Sequence, residues 1–150
     1  MTEKELTLAA EDAEDLEIIS ARLQDAVAKV KDLVWLPKSR RFAGLFNRFQ
    51  WETAESRRGK GSDLRVRSRL HFNDVLAVKS HKLRRDAPDA VVSLLAIRFT
   101  PNGAEVPDGT IELVFAGGGT MRIEVECIDA GLTDVSGAWA ALGRPAHDES

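Results

Sequence analysis

The sequence predicts an α+β fold. A bent, mostly antiparallel sheet of about six strands is expected, with an N-terminal helix and a short C-terminal helix. Three observations predict it. Apolar residues recur with helical period at Leu16, Ile19, Leu23, Ala26 and Val27. From residue 30 onward the period drops to two. Strand and helix patterns do not alternate regularly, which excludes a doubly wound parallel sheet. A pleckstrin-like roll is one geometry that suits many strands followed by a helix.

The N-terminal helix is expected over residues 12–27. Asp12 supplies a cap, and Glu14, Asp15 and Glu17 load the first turn with the sign that the helix dipole favours. Before it, Leu6 and Leu8 alternate with polar neighbours and suggest a short edge strand. Residues 30–36 are rich in β-branched and aromatic side chains and stop at Pro37, so they read as a strand. Residues 38–40 read as a turn. A second strand covers residues 42–51, with Ala43, Leu45, Asn47, Phe49 and Trp51 on one face. Residues 52–63 form a solvated loop by composition.

Residues 64–78 are the longest β-like run. Leu64, Val66, Ser68, Leu70 and Phe72 share one face; Arg65, Arg67, Arg69 and His71 share the other. Asn73-Asp74 turns or bulges the chain within this run. Residues 84–89 read as a loop. Residues 91–99 are almost continuously apolar, which suggests a central strand covered on both faces. Residues 100–109 are a loop. Residues 110–115 and 120–128 form a hairpin around Gly117, Gly118 and Gly119. Ile111, Leu113, Phe115, Met121, Ile123, Val125 and Cys127 point to its core side. Residues 132–142 are expected to close the fold as a short helix, capped by Thr133 or Asp134 and stopped by Gly143 and Pro145. Residues 1–143 are then one domain, and 144–150 a flexible tail.

With 150 residues, 43% of them hydrophobic and 30% charged, the chain has ordinary globular usage. No apolar run is long enough for a membrane helix. The single cysteine, Cys127, forbids an internal disulfide and fits a reducing compartment. With no apolar leader at the N-terminus, a cytoplasmic location is expected.

Charge is segregated along the chain. Residues 1–37 hold 4 basic and 9 acidic residues; residues 38–85 hold 14 basic and 4 acidic; residues 86–150 hold 3 basic and 11 acidic. Arg65, Arg67 and Arg69 make a stripe with a spacing of about 7 Å. The loop with Arg57, Arg58 and Lys60 adds to it, and Arg48 lies near a strand end. These seven residues are the candidate anion-binding set. The plainer reading is cross-strand neutralisation, with Glu112, Glu124 and Glu126 on outward faces opposing the arginines.

Catalytic and metal signatures fail on inspection. The loop Gly59-Lys60-Gly61 lacks a phosphate-binding pattern, because Ala54 and Gly61 replace the required Gly and Ser or Thr. The Gly117–Gly119 run joins two strands and lacks a dinucleotide fingerprint, with Arg122 at its sixth position. His71 and His81 are about 33 Å apart on an extended strand, too far to share a metal. His147 stands apart from both. No nucleophile elbow surrounds Ser136. Glu124 and Glu126 have the separation of a glycosidase pair, but alternating glutamates also suit an exposed strand face. Cys127 has the phase of a buried structural thiol. No catalytic residue, metal ligand or cofactor is assigned.

Several stretches carry a resemblance: Asn47-Arg48-Phe49-Gln50-Trp51-Glu52, Leu94-Leu95-Ala96-Ile97-Arg98-Phe99, residues 109–119, Val125-Glu126-Cys127-Ile128, Leu132-Thr133-Asp134 and Trp139. With these the chain resembles, over nearly its whole length, a family of short bacterial proteins of unknown function. The resemblance implies no particular activity and carries over no site residue.

Three functional readings follow. The first is a non-catalytic binding or scaffold module of the cytoplasm, with a homodimer or another protein as partner, since its basic middle complements its acidic flanks. The second is an enzyme or binder of a small anionic metabolite held by Arg48, Arg65 or Arg67. The third is weak nucleic-acid binding through Arg65, Arg67 and Arg69 with Arg57, Arg58 and Lys60. It ranks below the first because the chain has no Tyr, most Phe carry core phase, and the net charge is −3. No membrane partner is expected.

Overall fold

The computed structural model describes residues 6–49, 65–84 and 86–135. The chain runs β1 (Thr7–Ala10), α1 (Ala13–Arg22), β2 (Val27–Lys29), β3 (Leu33–Leu36), β4 (Arg41–Phe49), β5 (Arg65–Phe72), β6 (Val75–His81), β7 (Val91–Pro101), β8 (Gly109–Phe115), β9 (Thr120–Val125) and β10 (Ala130–Asp134). Every pairing is antiparallel. The strand order is β1-β10-β5-β4-β2-β7-β8-β9-β6, with β3 also beside β4. The fold is therefore a mostly antiparallel sheet with one α-helix among the described residues. The described residues form ten strands rather than about six.

The additional strands have local causes. The strand expected over residues 30–36 opens instead as a 3₁₀ turn at Val30–Asp32, and this turn separates β3 from β2, a short strand ahead of the expected one. They border the two ends of β4: β3 pairs with its beginning and β2 with its end. The run 64–78 also divides. Asp74 takes a left-handed backbone (φ 58°), and the chain leaves β5 for β6 on the far end of the sheet. Asp, like Asn, tolerates that conformation at a sharp bend.

The expected C-terminal helix is overturned where it begins. Leu132, Thr133 and Asp134 belong to β10, which lies between β1 and β5. Leu132 faces Leu8 on one side and Leu70 on the other. Pairing on both flanks overrides the weak strand propensity of Ala130-Gly131. Residues 136–142 lie outside the described residues. The helix that is present comes after only the first strand, so the strands-then-helix order behind the pleckstrin-like expectation is absent among the described residues.

Helix α1 is shorter than the apolar period suggests. Asp12 caps it, accepting from the Asp15 N–H at 2.8 Å. The helix ends at Leu23, and Asp25 takes a left-handed backbone (φ 69°). Ala26 and Val27 then join the sheet side. Leu16, Ile19 and Leu23 are nevertheless buried, as their spacing predicts.

The sheet bends so that both halves feed one core. Phe42, Phe46, Leu70 and Phe72 come from β4 and β5; Leu94, Ile111, Leu113, Phe115 and Ile123 come from β7, β8 and β9. The rings of Phe42 and Phe72 stack at 6.1 Å. Each such side chain contributes roughly 1.5–3 kcal/mol by leaving water. The β8–β9 hairpin forms as expected, with Gly117 and Gly118 at φ 91° and 96° in its tip. Cys127 lies beyond β9 and is only half-buried, against its expected core position. β7 is central, but only one face is covered: Leu94 and Ile97 are buried while Val91 and Leu95 are exposed. A register shift between Leu94 and Ala96 sets that phase.

Candidate anion-binding face

The outward face of the β1-β10-β5-β4 region is built from alternate residues of each strand. In antiparallel pairs, residues directly opposite share a face. Arg69 lies between Leu45 and Thr133, His71 between Ala43 and Gly131, and Arg67 beside Asn47. Val34 continues the row of Ala43, and Leu36 stands beside Arg41. Lys29, Arg41, Arg65, Arg67, Arg69 and His71 are the ionisable residues in these outward strand positions. None of those positions carries Asp or Glu.

The expected stripe Arg65, Arg67, Arg69 therefore exists on one face. Its expected neutralisation does not. β5 is flanked by β4 and β10, whereas Glu112, Glu124 and Glu126 lie on or just beyond β8 and β9. Those glutamates meet other cations. Glu112 is 3.7 Å from Arg122, Glu124 is 4.0 Å from Lys79, and Glu126 is 2.6 Å from Arg40. Among the described residues, Arg67 and Arg69 have no ion-pair partner. The Arg41 Nε donates to the neutral Asn73 side chain at 3.0 Å. Lys29 shares Asp89 with Lys31.

His71 sits in the middle of this face. Burial, and then the positive charges of Arg41 and Arg69, hold its pKa below the usual imidazole value; Asp129 acts in the opposite direction. Both the burial and the two arginines thus favour the neutral imidazole.

The remaining candidates separate from this surface. Arg48 points inward from β4 and is buried. Its Nη2 reaches the two Asp134 carboxylate oxygens at 3.1 and 2.9 Å, and its Nε donates to the Ser68 hydroxyl at 3.1 Å. Ser68 donates to Asp134 at 2.6 Å, and the Leu6 N–H donates to the other carboxylate oxygen at 2.9 Å. Burial alone raises a carboxyl pKa. Here the hydrogen bonds from Arg48, Ser68 and Leu6, with the Arg48 charge, prevail and lower it. This network ties β4, β5, β10 and the start of β1 together. Arg57, Arg58 and Lys60 lie outside the described residues, as does Trp51.

A shallow hollow of about 350 Å³ lies on the opposite half of the sheet, lined by Lys79, Ser80, His81, Thr120 and Arg122. It joins the β6 and β9 strands and does not include the arginine stripe. Cys127 donates to Asp74 at 3.5 Å. Burial and then Asp74, with Asp129 and Glu126 nearby, push its thiol pKa up, away from nucleophilic character. Among the described residues, no three His, Cys, Asp or Glu side chains are grouped to hold a metal ion. Nor does a helix of the described chain have the length and apolar character to cross a membrane.

Two residues here carry little signal in the sequence, one on the face and one in the buried network. Arg41 precedes the expected strand start, and extending the alternation of Ala43, Leu45 and Asn47 back by one residue pair would have found it. Asp134, the partner of Arg48, is by sequence one of two cap candidates, with Thr133, for the expected C-terminal helix. Only the β5–β10 pairing brings it beside Ser68.

No curated protein and no solved structure matches the chain. The model of one family, described as protein of unknown function (DUF2948), matches residues 6–147. With that match covering nearly all of its 150 residues, the chain belongs to the DUF2948 family.

Proposed function

We propose that the protein is a non-catalytic binding module of the cytoplasm whose basic sheet face docks an acidic protein surface. The observation that carries this reading is the pair Arg67 and Arg69, without an ion-pair partner among the described residues and flanked by Arg41 and His71. Four cationic or protonatable groups on an open strand face suit an extended partner better than a small enclosed metabolite. The metabolite-enzyme reading asked for an arginine and a shifted carboxylate facing a ligand. The residues that fit this description, Arg48 and Asp134, are buried and bonded to each other. Among the described side chains, Phe42, Phe46 and Phe72 are in the core and give nucleic-acid binding no stacking support.

Fluorescence anisotropy decides between the readings, using a labelled poly-glutamate peptide and labelled single- and double-stranded oligonucleotides at about 50 mM salt, where electrostatic binding is strong. The peptide is expected to bind at micromolar protein, weaken with salt, and fail with Arg67→Ala/Arg69→Ala. Tighter oligonucleotide binding would favour the nucleic-acid reading instead. No peptide binding, or binding indifferent to the double substitution, overturns the proposed face.

A further inference from the structure

The acidic charge of the described chain is as localised as the basic charge. Helix α1 and its cap carry Glu11, Asp12, Glu14, Asp15 and Glu17 against the single Arg22. Glu11, Glu14 and Glu17 are exposed, and among the described residues Glu14 and Glu17 have no ion-pair partner. Among them stands Ile18, 52% exposed. Leu16, Ile19 and Leu23 anchor the other side of the helix in the core, and the Ser20 hydroxyl accepts from the Ile97 N–H at 2.9 Å. The helix thus lies on the core side of the sheet, with its acidic face turned away from it. The arginines lie on the sheet's other face.

The basic face has matching apolar contacts. Val34 is 39% and Leu36 41% exposed, beside Ala43 and Arg41. A ten-residue helix is about 15 Å long. Three adjacent strands at about 4.8 Å spacing put about 10 Å between the outer two, and the four residues from Arg41 to Leu45, beside Arg69, add about 14 Å along them. The strands β5, β4 and β3 present Arg67 and Arg69, then Arg41, then Val34 and Leu36 in that order.

We propose that the basic face accepts α1 of a second copy of this chain, with Ile18 against Val34 and Leu36 and Glu14 and Glu17 against Arg67, Arg69 and Arg41. This rests on the reading of the basic face as a docking surface and names its occupant. The two surfaces face away from each other, so one molecule cannot neutralise itself through them. Each molecule therefore offers one acidic and one basic surface, and the contact is head-to-tail rather than two-fold. Head-to-tail contacts grow into rings or open chains. An apolar centre within a charged rim is the usual anatomy of such an interface. The net charge of −3 adds little overall repulsion between copies.

Sedimentation velocity tests this with two variants. One neutralises the helix, Glu14→Gln/Glu17→Gln; the other neutralises the face, Arg67→Ala/Arg69→Ala. Glu14, Glu17 and Arg69 are exposed and Arg67 is half-buried on the outward face, and circular dichroism checks that both variants fold. At about 0.01 M salt, where the Debye length is about 30 Å, the wild type should form species that grow with concentration. At about 1 M salt, where it is about 3 Å, it should be monomeric. Each variant alone should be monomeric at low salt. Mixed, they should form a one-to-one complex and nothing larger, because each retains the surface the other lacks. A wild-type monomer at high protein concentration and low salt overturns the inference, as does a mixture that stays monomeric. A wild-type dimer that never grows overturns the head-to-tail geometry. The poly-glutamate peptide separates the two levels: if it binds the wild type and the helix variant while no self-association occurs, the docking face stands and its occupant is wrong. If the peptide fails, the face itself is wrong.

Discussion

Arg48 and Asp134, 86 residues apart in sequence, form a buried ion pair in which one guanidinium nitrogen reaches both carboxylate oxygens. Ser68 and the Leu6 N–H complete the carboxylate's partners. The pair bridges the end of β4 to the end of β10 across β5, so it holds the register of three strands. It also places a charged group where β10 would otherwise offer only Ala, Gly, Leu and Thr for packing.

Removing one partner is expected to do more harm than removing both. Asp134→Ala leaves the Arg48 guanidinium buried without its carboxylate, and the Leu6 N–H and Ser68 hydroxyl without their acceptor. The expected loss is about 3–5 kcal/mol of unfolding free energy. Arg48→Met combined with Asp134→Leu removes both desolvated charges and should lose less. Urea midpoints of the two variants check this. A loss below about 1 kcal/mol for Asp134→Ala would mean that the network does not hold the fold.

The same carboxylate makes stability depend on pH with a definite sign. Its folded pKa is lowered, while the unfolded chain returns it to about 3.9. The folded state therefore binds fewer protons. Its contribution is complete above the unfolded value and fades as pH falls through the folded one. Other carboxylates also titrate there, so the informative quantity is the difference between the wild type and Asp134→Asn. That difference in urea midpoint should be largest near neutral pH and shrink as pH falls below about 4. A difference that is constant down to strongly acid pH would contradict the ionised pair.

How much was legible in the sequence depended on whether a signal was local. The Asp12 cap, the Leu16-Ile19-Leu23 stripe and the glycine-tipped β8–β9 hairpin are each read from a few neighbouring residues, and each is present. The outward alternation of Arg65, Arg67 and Arg69 was equally local. Their neighbours were not, because strand order decides whether Glu112 or Thr133 stands beside an arginine. β10 was missed for the same reason. Ala130-Gly131 has little strand preference of its own, and the strand exists because β1 and β5 offer hydrogen bonds on both sides. β2, with three residues, is too short for any period to register.

Gly131 leaves room for the His71 ring. The two face each other across β10 and β5, and the imidazole lies over the glycine. A side-chain carbon at 131 would stand 3.0 Å from Nε2 and 3.3 Å from Nδ1, and closer still to the ring carbon between them. The backbone there has no positive φ, so alanine itself is not strained. Two effects of Gly131→Ala therefore oppose each other. Restricting the unfolded chain stabilises by about 0.4–1 kcal/mol. Displacing a half-buried ring from a packed site destabilises by about 1–3 kcal/mol. The crowding should win, and Gly131→Ala alone should lower the unfolding temperature. In a His71→Ala background the ring is gone and only the first effect remains, so the same substitution should become neutral or stabilising. Thermal unfolding of the four proteins in this double-mutant cycle measures the coupling directly. Equal effects in both backgrounds would show that the ring swings clear of residue 131 and does not select glycine there.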